Sequence, residues 1–441
     1  MGIFKAYDIR GIYGEEFGQK ETYRIGYFLP RLLKTNRILV GRDTRLSSNE
    51  IFSSLSRGIT DAGADVYDLG LCTTPYVYFA TVRYGFDASV QITASHNAKE
   101  YNGFKISKTG ALPVGGDTGL RDLEEMVLGE EMIVQKKCGK IFDFQDKKED
   151  YIAFFKEHFP SISNLKIAVD CSNGMASLFI KELLGDQTIY LYDNLDGSFP
   201  NHEPNPLLEE NTEGLKKAVL QHGCDIGVIF DGDADRVIFV DEQGRFISPD
   251  LITGIIGRYY KNMGGTVLYD IRSSKSMSDY LKRLGFQTYM WKVGHAFAKM
   301  KMRELGTVFG GELAGHYYFR DFFNCDSAIF ACLAVLQVLS SDKSHTISQM
   351  IDTFRPAAYS GELNFIISNK KTAMERVLKY FSSREKVLAL YDFDGIRVEF
   401  ADWWYNIRPS NTEPYLRLVV EAENEQLLKN RVEMIKKLIH E

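Results

Sequence analysis

The chain has 441 residues, 44% hydrophobic and 25% charged, enough apolar material for three or four domains with their own cores. Its 53 basic and 59 acidic residues leave a net charge of −6, which excludes a general attraction to nucleic acid or an anionic membrane; an anionic ligand has to be met by locally placed cations. Six cysteines without a CxxC pair exclude a disulfide framework and predict free thiols in the reducing cytoplasm.

In chain order, the first residues lack the apolar core of a signal peptide, and Ala6 replaces the hydroxyl residue of a myristoylation signal. Tyr7-Asp8-Ile9-Arg10-Gly11 supplies a first arginine. Residues 37–43 read as a strand, followed by a helix, Gly63 and a second strand at 65–69. The same grammar recurs at 165–170, Gly185 and 187–192, and again at 266–270, Gly285 and 287–291. Each glycine suits the left-handed residue after a helix, and strand–helix–strand argues for parallel pairing. Arg42 and Arg45, at and just beyond the end of the first strand, supply two more, and surface salt bridges are the usual fate of such arginines. The longest apolar run, 328–339, is too short to span a bilayer and contains Gln337.

Each of the three units adds a strand that runs into an unusual loop. The strand at 88–93 leads to Ala94-Ser95-His96-Asn97, with Lys105 in the same connection. The strand at 225–230 leads to Asp231-Gly232-Asp233-Ala234-Asp235-Arg236. The strand at 307–309 leads to a glycine-rich turn holding Glu312 and His316. Ligands of α/β sheets bind beyond the carboxyl ends of strands, so three distinct loops at equivalent strand ends predict one shared cleft.

Alternate residues of an extended segment face one way, so Asp231, Asp233 and Asp235 can converge on a point. Their repulsion is relieved by a hard divalent cation, and oxygen-only ligands suit Mg²⁺ or Ca²⁺ better than Zn²⁺. A solvated turn has the same composition. An EF-hand is excluded because Arg236 stands where that loop needs Gly, and strands flank it. Three carboxylates leave room on Mg²⁺ for a phosphate oxygen, and Arg236 can hold the same phosphate. Ser95 is a candidate nucleophile that needs activation or a pre-loaded group. Thr93, Ser95 and Asn97 are equally the residues of a capped turn.

The last segment alternates like strands at 361–367 and 395–400, with helices at 376–381 and 424–440. Between strands at 403–407 and 415–421 lies Arg408-Pro409-Ser410-Asn411-Thr412-Glu413-Pro414, a loop rich in phosphate donors and also a plausible polar turn. Composition places boundaries near 145, 245 and 357, giving units 1–145, 146–245, 246–357 and 358–441.

Taken together, the motifs at 5–11, 93–97, 231–236, 311–316 and 408–414 resemble those of the α-D-phosphohexomutases, most closely the bacterial phosphomannomutase/phosphoglucomutase branch. They occur in that family's order and span essentially the whole chain. The resemblance implies three related α/β units with mixed sheets around a central cleft and a smaller α+β C-terminal domain with a TATA-binding-protein-like sheet. It implies a cytoplasmic isomerase, monomeric or homodimeric, that interconverts hexose 1-phosphate and hexose 6-phosphate of mannose or glucose. Ser95 would carry a phosphoryl group, and hexose 1,6-bisphosphate would be the intermediate and activator. One Mg²⁺ per chain would be held by Asp231, Asp233, Asp235 and an oxygen on Ser95. Arg236 would stabilise charge, and Lys105, His316 or Arg10 would move protons. Glu312 would bind the sugar; Arg408, Ser410, Asn411 and Thr412 the distal phosphate; Tyr7, Arg272, Lys292 and His295 the cleft wall. The family's sugar loop usually carries Ser where this chain has Ala314, so one sugar contact is expected to be missing. A phosphoglucosamine mutase is the near alternative, disfavoured by the 7–11 motif and by Asn411. A Mg²⁺-dependent sugar-phosphate phosphatase with Asp231 as nucleophile and a non-catalytic sugar-phosphate sensor are the rivals from other classes.

Overall fold

The computed structural model describes residues 2–133, 135, 137–160, 162–410 and 414–441. Three units repeat one strand plan. In the first, Arg37–Arg42 lies between Asp65–Leu71 and Ala88–Ile92, parallel to both, and Ala88–Ile92 pairs antiparallel with Tyr101–Lys108. In the second, Ile167–Asp170 lies between Ile189–Leu191 and Ile226–Phe230, and Val237–Asp241 runs antiparallel to the latter. In the third, Thr266–Asp270 lies between Gln287–Trp291 and Phe309–Gly311, with Tyr317–Phe319 antiparallel. The predicted parallel pairing holds in all three, and Gly63, Gly185 and Gly285 all have positive φ.

The inner strands carry Val, Ile or Phe, and both of their faces are covered. Every residue of Ala88–Ile92 and of Ile226–Phe230 is buried. The crossover helix Ser48–Asp61 presents one apolar stripe, burying Ile51, Leu55 and Ile59, spaced four apart. One strand differs from its expected position. The strand placed at 307–309 pairs as Phe309–Gly311, because Gly310 and Gly311 lie opposite Leu268 and Tyr269. These glycines read as loop, but they are small for packing: a Cβ on Gly311 would lie 2.1 Å from Thr253 Oγ1 of the covering helix Pro249–Tyr260.

The three units share a continuous core. Tyr76 of the helix Thr74–Arg83 packs 4.8 Å from Tyr151, and Tyr151 reaches Phe155, Phe179 and Phe322. The apolar run near 330 is the buried helix Ala328–Ser341 at its centre. Among the described residues no helix is long and apolar enough to cross a membrane.

The C-terminal segment forms an antiparallel sheet ordered Ala358–Tyr359, Tyr415–Ala422, Trp403–Pro409, Ile396–Glu399, Ala389–Tyr391, with Leu363–Ile366 also on Tyr415–Ala422. The helices Lys370–Ser382 and Glu425–His440 close its core over Phe381, Trp403, Tyr405 and Ile435; Asn424 caps the second through Leu427 N. Arg397, buried, donates to Ile271 O and Ser273 O of the third unit, and Arg272 pairs with Glu362 at 2.9 Å. These contacts dock the C-terminal sheet on the third unit.

Candidate active site

The three strand-end loops meet. Beyond Ala88–Ile92, Thr93 Oγ1 accepts from Ser95 N at 2.8 Å, and Ser95 adopts φ +53°. The Ser95 hydroxyl donates to Asp231 Oδ2 at 2.7 Å and lies 3.3 Å from His96 Nδ1. In the second loop, Asp231 Oδ1 accepts from Asp235 N and Arg236 N, both at 3.1 Å. From the third, Gly315 O accepts from Val237 N at 3.2 Å, and Arg236 Nε donates to His316 Nε2 at 3.0 Å. A donor at Nε2 leaves the ring proton on Nδ1, 3.0 Å from Asp326 Oδ2.

One oxygen each of Asp231, Asp233 and Asp235 lies within 4.8 Å of the other two, and all three residues are buried. Asp233 Oδ1 and Asp235 Oδ1 have no hydrogen-bond partner among the described residues. Lys105 Nζ pairs with Asp233 at 2.6 Å and also with Asp235. Burial and the charges of Asp233 and Asp235 push the Asp231 carboxyl well above the ordinary range. Burial lowers the pKa of the Lys105 ammonium, but Asp233, Asp235 and Asp231 outweigh it, so the net shift is upward. Clustered acids with bare buried oxygens beside a hydroxyl fit a hard divalent cation.

The other expected residues group around this centre. Arg10 donates to Asn97 Oδ1 at 2.6 Å and pairs with Asp8. Burial lowers its pKa, Asp8 and Tyr7 raise it, and the balance is upward. Tyr7 packs edge-on against His295, centroids 5.2 Å apart, and His295 lies 6.0 Å from His316. Both His295 ring nitrogens are buried without a partner among the described residues, and burial holds its pKa well below the usual value. Glu312 Oε1 accepts from Gly294 N at 2.8 Å, and burial raises its pKa. Lys292, half-buried, shares a small depression with Glu312 and Asp270.

Arg272 is engaged by Asp270 and Glu362. Arg408 Nε donates to Asp394 Oδ1 at 3.2 Å, while Asp394 Oδ2 accepts from Val293 N at 2.8 Å, so the last domain and the third unit touch here. Ser410 N donates to Tyr415 O at 2.9 Å. Asn411 and Thr412 lie outside the described residues.

Family models match the chain in order: phosphoglucomutase/phosphomannomutase alpha/beta/alpha domain I at residues 1–131, domain II at 149–244, domain III at 248–357 and the C-terminal domain at 362–438. The chain belongs to the phosphoglucomutase/phosphomannomutase family. It is 37% identical over 458 residues to a phosphomannomutase of Escherichia coli, covering 100% of this chain and 99% of that one. It is 35% identical over 445 residues to a phosphomannomutase of Methanocaldococcus jannaschii, covering 99% and 97%. Its structure matches the crystal structure of a phosphoglucomutase/phosphomannomutase family protein from Burkholderia thailandensis with a TM-score of 0.89, 28% identity and 99% and 97% coverage. Like its relatives, it is an isomerase.

Sequence reasoning missed several residues of this family member's centre. Arg45, expected at the surface, is buried beneath the Ser95 loop. Thr74, at the start of its helix, donates from both Oγ1 and N to Asp233. Asp326 receives His316 and, on its other side, the buried Lys299 at 2.7 Å. One signal was present. The central strand of every unit ends in or is followed at once by Asp (Asp43, Asp170, Asp270), and each carboxylate accepts from the backbone N two residues on.

Proposed function

We propose that the chain transfers a phosphoryl group between O1 and O6 of a hexose phosphate, mannose or glucose, with Ser95 as the carrier. The observation that carries this reading is the Ser95 hydroxyl against Asp231, inside one cluster with Asp233, Asp235, Lys105, Arg236 and His316. The P–Oγ bond of phospho-Ser95 breaks as a P–O bond forms to the free sugar hydroxyl. The hydroxyl proton passes to a base, giving a hexose 1,6-bisphosphate. That intermediate turns over in the cleft, its other phosphoryl returns to Ser95 Oγ, and the departing sugar oxygen recovers a proton.

Lys105 and Arg10 have upward-shifted pKa values and stay charged, so they act as cations beside the transferring group. His316 is the base in this reading: its Nε2 carries the lone pair, now accepting from Arg236 Nε, and takes the proton once Arg236 turns to the phosphoryl group. Asp231, Asp233, Asp235 and a phosphoryl oxygen on Ser95 would hold one Mg²⁺, which when bound neutralises charge on the transferring group. Arg408 and Ser410, with Asn411 and Thr412, take the distal phosphate, and Glu312 takes sugar hydroxyls. Tyr7, Arg272, Lys292 and His295 form the wall. The unit limits 1–145, 146–245, 246–357 and 358–441 and a cytoplasmic location belong to the same reading.

A phosphatase with Asp231 as nucleophile is disfavoured because both oxygens of that carboxylate are engaged, one by two backbone N–H groups and one by Ser95. A coupled assay with mannose 1-phosphate, glucose 1-phosphate and glucosamine 1-phosphate, run beside a phosphate-release assay, tests the reading. Formation of mannose or glucose 6-phosphate without released phosphate is expected; release of phosphate without isomerisation overturns it.

A further inference from the structure

The guanidinium of Arg45 is sealed inside the first unit and uses all five of its N–H donors. Nη1 donates to Ala98 O at 2.6 Å and Tyr101 O at 2.9 Å; Nη2 donates to Ser95 O at 2.9 Å and Asn97 O at 2.6 Å. Nε donates to Asp43 Oδ2 at 3.1 Å, and Asp43 Oδ1 in turn accepts from Arg45 N and Ser48 Oγ. The Phe199 ring of the second unit covers the group at 5.2 Å, and Gly197 bridges to Arg45 along the backbone.

Three of these carbonyls belong to the segment between Ala88–Ile92 and Tyr101–Lys108, which carries Ser95 at positive φ, and the fourth, Tyr101 O, opens the second strand. A non-glycine residue holds that conformation when its surroundings over-determine it. Here the surroundings act from two sides. Arg45 draws the Ser95 carbonyl inward, and Gly232 backs it: a Cβ on Gly232 would sit 2.6 Å from Ser95 O. The device is specific to the unit that carries the hydroxyl. The third unit repeats the pair as Asp270 and Arg272, but Arg272 turns to Glu362; the second unit has Ser172 at the equivalent place.

We propose that Arg45 is a positioning residue for catalysis: its fork fixes the backbone of residues 95–101 so that Ser95 Oγ points at the acidic cluster. This rests on the phosphoryl-transfer reading above. Lysine cannot substitute, because one ammonium has three donors at a single point and cannot span carbonyls on both sides.

The test compares the full-length chain with Arg45→Met and Arg45→Lys, the latter keeping a charge beside Asp43. For Arg45→Lys, kcat on mannose 1-phosphate is expected to fall about 10²-fold, the scale of a small misplacement of a reacting group, with KM unchanged. Amide hydrogen exchange should accelerate in 94–101 and nowhere else. An unchanged kcat overturns the proposal. So does accelerated exchange across the whole first unit, with activity lost only in proportion to unfolded protein. The exchange measurement needs no turnover. A parent chain inactive on every hexose phosphate therefore refutes the proposed function, while confined exchange still decides the role of Arg45.

Discussion

The hydroxyl of Ser95 donates to the carboxylate of Asp231 over 2.7 Å, across 136 residues of chain. Two equivalent strand ends in two repeated units bring them together, and neither loop could hold the arrangement alone. Removing the hydroxyl leaves the backbone contacts of the Ser95 loop in place. Ser95→Ala is therefore expected to keep its fold and melting temperature while turnover drops ~10⁴-fold or more, the scale of losing a covalent nucleophile. Steady-state assay beside thermal unfolding checks this, and near-normal turnover would contradict it.

Two buried carboxylate oxygens without hydrogen-bond partners among the described residues call for a cation. EDTA is expected to inactivate the enzyme and added Mg²⁺ to restore it. Mg²⁺ at ~100 times its dissociation constant should also stabilise the fold by ~2.7 kcal/mol, seen as a rise in melting temperature, if it binds the folded chain alone. Asp233→Asn should weaken both effects. Full activity after exhaustive chelation, with no thermal shift, would remove the metal from the account.

Much of this arrangement could be read from residue order. The three units announced themselves because each joins an apolar strand ending in Asp, a helix and a glycine of positive φ. The three loops could be placed at one cleft because strand ends converge in such sheets. Arg45 could not be read this way: its four carbonyl acceptors lie 50 or more residues away, and nothing local marks an arginine as buried rather than exposed. The residues alone show Lys105 as a cation in the right connection, and the family resemblance adds proton transfer. That it enters the acidic cluster depends on how the strand Tyr101–Lys108 pairs with Ala88–Ile92, which sets Lys105 opposite Gln91. The strand Phe309–Gly311 differs from its expected place because Gly310 and Gly311, small to fit Leu268 and Thr253, look like loop.

Arg408 is buried, and one terminal nitrogen has no partner among the described residues. Its Nε is held by Asp394, so the fork is already oriented for an anion. Arg408→Ala should raise KM for mannose 1-phosphate by ~10- to 100-fold, the worth of a charge-assisted contact, with a smaller change in kcat. An unchanged KM would move the distal phosphate elsewhere.

His202 carries a pH dependence. Its Nε2 lies 3.2 Å from Asp170 Oδ2 and its Nδ1 2.7 Å from Glu203 O, two acceptors that favour the doubly protonated ring. Burial lowers its pKa, the Asp170 hydrogen bond and charge raise it, and the net shift is upward. A group with a raised folded pKa stabilises fully below its unfolded value, about 6.5, and loses that contribution as pH climbs through the folded value. The melting-temperature deficit of His202→Gln relative to the parent should therefore be largest near about pH 6 and shrink toward about pH 9. A deficit that grows with pH would reverse the assigned sign.

The central claim is that the phosphoryl group travels on Ser95. The most direct measurement is peptide mass spectrometry of the purified enzyme after exposure to glucose 1,6-bisphosphate and after a chase with excess mannose 1-phosphate or glucose 1-phosphate. The account predicts one phosphoryl group on the peptide carrying Ser95, passed to the sugar during the chase and absent in Ser95→Ala. Phosphate found on Asp231, or a Ser95 that never gains or releases it while isomerisation proceeds, would contradict it.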